Sequence, residues 1–237
     1  MAVKEMLKKY DINQSKIDNH TLHIRFIKEY DKWDKKDREG SFILGKTSIA
    51  LQSIGLNNRN IVMDKSKILK IKNDHPEMTD NIIKQIPVIL ENPIIILNSE
   101  SKSNINNSRI VIFGDVIDFN NKPVLVAMEL NPNEKTKENV DKVYKVASAY
   151  GKEKISVIQN WLNIEKNILY VDKNKKRTIN WLDGLGLQLP VPSNNGSLES
   201  NISQSKDNVN YFVEEEPVLY EKIKNSISYV CDNFNYI

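Results

Sequence analysis

The chain has 237 residues, with 34 lysines and arginines against 31 aspartates and glutamates, a formal net charge of +3. That balance excludes a polyanion-binding footprint spread over the whole chain, so any nucleic-acid site has to be local. The lone cysteine, Cys231, excludes an internal disulfide and with it a disulfide-stapled secreted toxin; it reads as a small apolar filler.

The length fits one core domain with appendages, or two small domains. The start, MAVKEMLKKYD, lacks the apolar run of a signal peptide, and the longest apolar runs, such as Pro93–Leu97, are strand-sized. The expectation is a cytoplasmic protein with no membrane segment. Val3, Met6, Leu7 and Tyr10 recur at helical spacing and predict a short first helix. Tyr30–Glu39 alternates both signs of charge and reads as a solvated helix or linker.

From Ser41 the pattern changes. Phe42–Leu44 and Asn60–Met63 read as short strands. Between them Thr47 is placed to cap a helix carrying Ile49, Ala50 and Ile54 and stopped by Gly55, and Ser66–Ile71 reads as a further helical turn or two. Thr79 caps a helix predicted over 79–91, with Ile82, Ile83, Ile86, Ile89 and Leu90 on one stripe and Pro87 as an interruption. Burial of Ile82, Ile86 and Ile89 is worth ~1.5–3 kcal/mol each before entropy. A run of strands follows: Pro93–Asn98, Arg109–Phe119 with Gly114 as a bulge, a tight turn at Asn120, Asn121 and Lys122, and Pro123–Leu130. Residues 140–150 fit both a helix and a strand; the β-rich VYKV favours a strand from about Lys142, closed by Gly151. Ile155, Ile158 and Leu162 mark a helix, Ile168–Val171 a strand, and Arg177–Leu187 a last helix. The expected fold is α+β: an antiparallel meander of about four strands over 93–150, helices on one face, then helix–strand–helix. The expected divisions are 1–39, a charged helical segment; 40–190, the α+β domain; 191–210, a polar linker; and 211–237, a helical tail.

Motifs narrow the chemistry. Gly40 through Thr47 matches G-x-x-x-x-G-K-T, but the charged run before it is no buried strand and its interior, Ser-Phe-Ile-Leu, is too bulky to cradle phosphates. It reads as a strand ending in a turn. His20 and His23 have helical neighbour spacing without further ligands, so no metal or other cofactor is expected. His75, Arg109, Glu129, Ser148 and Tyr150, with Lys152 just beyond, supply an imidazole, a carboxylate, cations and hydroxyls. Those are the parts of metal-independent RNA cleavage: a base for the 2′-hydroxyl, an acid for the leaving oxygen, and cations for the phosphate. Each also fits a plainer role: His75 as a helix cap, Glu129 as a lysine's partner, Tyr150 as core. Lys152 and Lys154, with Lys173, Lys175, Lys176 and Arg177 in the run KNKKR, are the candidate contacts for a polyphosphate backbone or an acidic partner. A solvated turn is the other reading of KNKKR.

The stretches SFILGKTSIALQSIG, NDHPEMTDNIIKQIPVILENPIIILNS, DFNNKPVLVAMEL, KVASAYGK and LYVDKNKKRTINWLDGLGLQLP resemble the C-terminal domain of phage MuF-type minor head proteins. This domain also occurs in large polyvalent proteins of mobile elements, and its layout is similar to the barnase, EndoU, colicin and RelE-like ribonucleases. The resemblance runs from Ser41 to about Pro190. It implies a phage- or element-encoded effector with His75, Arg109, Ser148 and Tyr150 at the positions of the site elements. Two functions follow as expectations. One is a toxin-like, metal-independent endoribonuclease acting on RNA. The other is a non-catalytic counter-defence (anti-CRISPR-like) or regulatory factor that binds RNA or a host defence or nucleic-acid-processing protein. The segment 1–39 is expected to be too short for a MuF head domain.

Overall fold

A computed structural model of the chain describes residues 14–99, 109–130 and 143–190, all within one compact unit, Met1–Pro190. The expected first helix, the 191–210 linker, the 211–237 helical tail and Cys231 lie outside the described residues. In chain order the elements are α1 (Gln14–Lys32), β1 (Ser41–Lys46), α2 (Ile49–Ser53), β2 (Asn60–Asp64), α3 (Lys65–Asp74), α4 (Asp80–Ile83), α5 (Ile86–Glu91), β3 (Ile95–Asn98), β4 (Arg109–Ile117), β5 (Pro123–Glu129), β6 (Tyr144–Gly151), α6 (Ile155–Leu162), β7 (Ile168–Val171) and α7 (Lys175–Leu185).

The α+β class holds, and β3–β4–β5–β6 is the expected antiparallel meander. Its turn is built as the sequence implies: Asn121 takes φ 59°, and the Asp118 carboxylate accepts the backbone N–H groups of Asn120 and Lys122 at 2.8 Å each. The count of about four strands needs correction. Among the described residues the sheet has seven, in the order β1-β2-β6-β5-β4-β3-β7. The β1–β2 hairpin joins through a parallel pairing of β2 with β6, and β7 adds to the outer edge of β3. The segments were legible as strands; their attachment is not, because it is made between residues distant in sequence.

Helices on one face is the second correction. On β4, Ile110 and Ile112 enter one apolar cluster with residues of α1 through α5, while Val111 and Phe113 enter another with α6 and α7. A strand apolar on both faces has to be covered on both. The helix predicted over 79–91 is two short helices, α4 and α5. Thr79 caps the first and Pro87 lies in the opening turn of the second. Gly114 lets α5 approach closely: a Cβ there would lie 3.3 Å from the Ile89 Cα, and the β4–β5 register shifts between Phe113 and Ile117.

The charged stretch after residue 29 is no solvated linker. Phe26, Tyr30 and Trp33 are buried; Tyr30 packs edge-to-face with both Phe26 and Trp33, and these two do so with Phe42 of β1. Their neighbours' charges stay wet or paired: Lys35 lies 3.6 Å from the Tyr30 ring centroid, and Asp80 accepts the Tyr30 hydroxyl at 2.7 Å as well as Lys72. The G-x-x-x-x-G-K-T segment is strand β1, paired with β2 from Ser41 to Lys46, so it forms no phosphate loop. Asn19 of α1 treats Lys46 as a strand neighbour would. Its Oδ1 accepts the Lys46 N–H at 2.6 Å, and its Nδ2 donates to the Lys46 carbonyl at 3.1 Å and to Glu91. Burial pushes the Glu91 carboxyl up to about 7, against smaller opposing effects of Asn19 and Lys16.

Candidate functional site

The register places several strand ends together. Ile117 pairs with Pro123, Val124 with Gly151, and Ile95 with both Phe113 and Val171. The β4–β5 turn, the end of β6, the start of β3 and the end of β7 therefore lie along one end of the sheet. From β6 across β5, β4 and β3 to β7 is four strand spacings of about 4.8 Å, roughly 19 Å.

The turn at this end is braced from both sides. Asp118 is buried, and its carboxylate lies so close over Gly151 that a Cβ there would sit 1.7 Å from Oδ2. Only glycine fits beneath it. The Phe119 N–H donates to the Glu77 carbonyl at 3.4 Å, and the Lys152 N–H to the Pro123 carbonyl at 2.9 Å. The segment between α3 and α4, which holds His75 and Glu77, is thus tied to the turn, and so is the exit of β6, which holds Tyr150 and Lys152.

His75 is the C-terminal cap of α3, with its backbone N–H donating to the Ile71 carbonyl at 2.8 Å. Its ring stacks on Tyr150, centroids 4.8 Å apart and planes 14° from parallel. Nδ1 lies 3.3 Å from Glu77 Oε1, which favours the ring proton on that nitrogen and directs Nε2 elsewhere. Burial pushes the Tyr150 hydroxyl up from its ordinary range. Lys152 stands between rings, its Nζ 5.8 Å from the Tyr150 centroid and 5.1 Å from that of Trp161 on α6. Burial, and then neighbouring Lys154, push Lys152 below the usual lysine range.

Arg109 and Glu129 do not join this group. They face each other across β4 and β5 and form an ion pair, four residues along β5 from the Leu125–Tyr150 pairing and so about 13 Å away. Glu129 also lies opposite Lys145, which reaches Asp64 at 3.4 Å. Ser148 shares the Tyr150 face, opposite Ala127, and makes no hydrogen bond to His75 or Tyr150. Of the basic run, Arg177 is committed to the fold: it donates to Asp115 at 2.7 Å, to Asp172, and to the carbonyl of Asn92 at 2.8 Å. It fastens the base of α7 to the start of β3 and the end of β4. Lys173, Lys175 and Lys176 are exposed beside it, and Lys154 is exposed beyond Lys152. Among the described residues no three of His, Cys, Asp and Glu are grouped to hold a metal ion, and no helix is long and apolar enough to cross a membrane.

Sequence reasoning passed over Glu77, Phe119 and Trp161. Phe119 carried a signal: an aromatic immediately before a turn has no core to fill, and its side chain is 77% exposed. Glu77 and Trp161 carried none, since their roles depend on partners from other elements.

The molecule is thus an α+β protein built on a mixed sheet, with rings and lysines gathered at one end of it. Residues 67–178 match the family model of the phage MuF-C-terminal domain, so that segment is similar to the family. The match relates this part of the chain to a domain of phage proteins. The match opens in α3 and closes in α7; it contains His75, Tyr150, Lys152 and the basic run but leaves out α1, β1 and β2, a narrower span than the resemblance from Ser41 to Pro190. Neither the curated proteins nor the solved structures compared with the chain give a match.

Proposed function

We propose that the protein is a phage-related effector that binds RNA along the end of the sheet where His75, Tyr150 and Lys152 meet. The observation that carries this is the stack of His75 on Tyr150 with Lys152, which has no ion-pair partner among the described residues, close to the Tyr150 ring. Rings supply faces for bases, and Lys152, Lys154, Lys175 and Lys176 supply charge for phosphates along the same ~19 Å line. The +3 net charge fits a local site better than a whole-surface one.

Cleavage is the second reading, and the Glu77–His75 contact favours it. With the proton held on Nδ1, His75 Nε2 accepts the proton of a ribose 2′-hydroxyl. The 2′-oxygen then bonds to the adjacent phosphorus, and the 5′-oxygen leaves with a proton from Lys152. This gives a 2′,3′-cyclic phosphate and a free 5′-hydroxyl without a metal. Arg109 and Glu129 have no part in it, and Ser148 serves only if it reaches the phosphate. A counter-defence role directed at a host protein rests on the family resemblance alone.

The deciding experiment incubates the purified chain with total RNA in EDTA beside His75→Ala, with retention of a labelled RNA measured in parallel. Cleavage lost in His75→Ala supports the nuclease reading. Retention without cleavage supports the binding effector. Neither retention nor cleavage overturns both and points to a protein partner.

A further inference from the structure

Phe119 is the most exposed large apolar side chain among the described residues, at 77%. Ile117, two residues earlier and 50% exposed, continues the patch. An aromatic ring left in water at a hairpin tip stabilises nothing by burial. Yet the backbone beneath it is held more firmly than a hairpin needs. The Phe119 N–H is tied to Glu77; Asp118 accepts Asn120 and Lys122; the Asp118 N–H donates to the Lys122 carbonyl at 2.8 Å; and the carboxylate is seated over Gly151. A fixed mount under an exposed ring is the arrangement of a stacking platform, because little freedom is lost when a flat ligand lands on it.

Its neighbours identify the ligand. Pro123, opposite Ile117, takes the Lys152 N–H, and Glu77, which takes the Phe119 N–H, reaches His75. The turn that carries the ring is thus tied through its backbone to the segments that hold Lys152 and His75, where a phosphate backbone would find charge. Bases in a duplex keep their faces stacked on one another and offer only edges, whereas an unpaired base offers its face.

We infer that Phe119 stacks on an unpaired base, so that the site selects single-stranded over double-stranded RNA. This rests on the RNA-binding reading and adds to it the form of RNA bound.

The test uses the full chain and a fluorescein-labelled single-stranded RNA of mixed sequence, alone and annealed to its complement. The wild type is expected to prefer the single strand. Phe119→Ala should weaken single-strand binding by about tenfold or more while leaving the salt dependence and the melting temperature unchanged, since stacking releases no counter-ions. Phe119→Trp should keep the affinity, and its added indole should be quenched on binding. If Phe119→Ala binds the single strand as the wild type does, the inference fails and the RNA-binding reading stands. If Phe119→Ala also lowers the melting temperature and Phe119→Trp does not restore binding, Phe119 is a packing residue and the inference fails. If the wild type binds neither form, both readings fail.

Discussion

The two ends of the sheet use similar residues in different ways. At one end Arg109 meets Glu129 directly across the strands, and Lys145 reaches Asp64, so charges are matched within the fold. At the other end Lys152 faces two aromatic rings, with Lys154, Lys175 and Lys176 exposed along the same edge. A cation neutralised by the fold has little left to offer a phosphate; one held among rings gains by meeting it. Arg177 shows that position alone does not decide the matter. It sits at the second end and is fully engaged by Asp115, Asp172 and backbone carbonyls.

The largest way to break this comparison is at Arg177. Arg177→Met leaves Asp172, a mostly buried carboxylate, without its partner, and should lower stability by about 3 kcal/mol in urea denaturation. A change under 1 kcal/mol would return Arg177 to the group of exposed cations. Gly151→Ala places a methyl where the Asp118 carboxylate lies, and should cost about 2 kcal/mol, within the range for overpacking. It should also loosen RNA binding by displacing the turn.

Glu91 sharpens the comparison from elsewhere, as a partly buried carboxyl that accepts a hydrogen bond from Asn19. Its folded pKa, about 7, lies above its unfolded value, so the folded state binds the proton more tightly. The stability this gives is full below about pH 4.5 and is lost as pH rises towards 7. Glu91→Gln should flatten that decline, leaving the variant more stable than the wild type at pH 8 by on the order of 1–2 kcal/mol and little different at pH 5. Melting curves across pH measure it, and parallel curves would contradict it. The smallest effect on stability belongs to Lys175→Glu with Lys176→Glu. Melting should shift within the range of a surface change, about 0.5 kcal/mol, while the log–log salt slope of RNA binding falls by about one for each phosphate no longer engaged.

The meander was legible because its signals are local. β-branched runs bounded by turn residues give β3, β4 and β5, and Asn121 marks the hairpin. What depends on distant partners was hidden. Nothing near Val62 says that it will lie beside Lys145, so the sheet was read short. Tyr30 and Trp33 looked solvated because the lysines and aspartates around them dominate the pattern, although those charges lie over ring faces or pair with one another. The same limit shaped the candidate site. Position suggested His75, Arg109, Ser148 and Tyr150, and of these His75 and Tyr150 meet; Arg109 lies instead opposite Glu129, where the hairpin register places it.

The contrast between the two ends is tested most directly by binding one single-stranded RNA to two variants of the full chain across a salt series. Lys152→Gln with Lys154→Gln alters the unneutralised end, and Arg109→Gln with Glu129→Gln the neutralised one. The first pair should lose affinity and lower the salt slope by about one to two, roughly one for each phosphate released, while the second should bind as the wild type does. Equal losses in both pairs, or a loss confined to the Arg109–Glu129 variant, would contradict the assignment of the RNA site to the His75–Tyr150–Lys152 end.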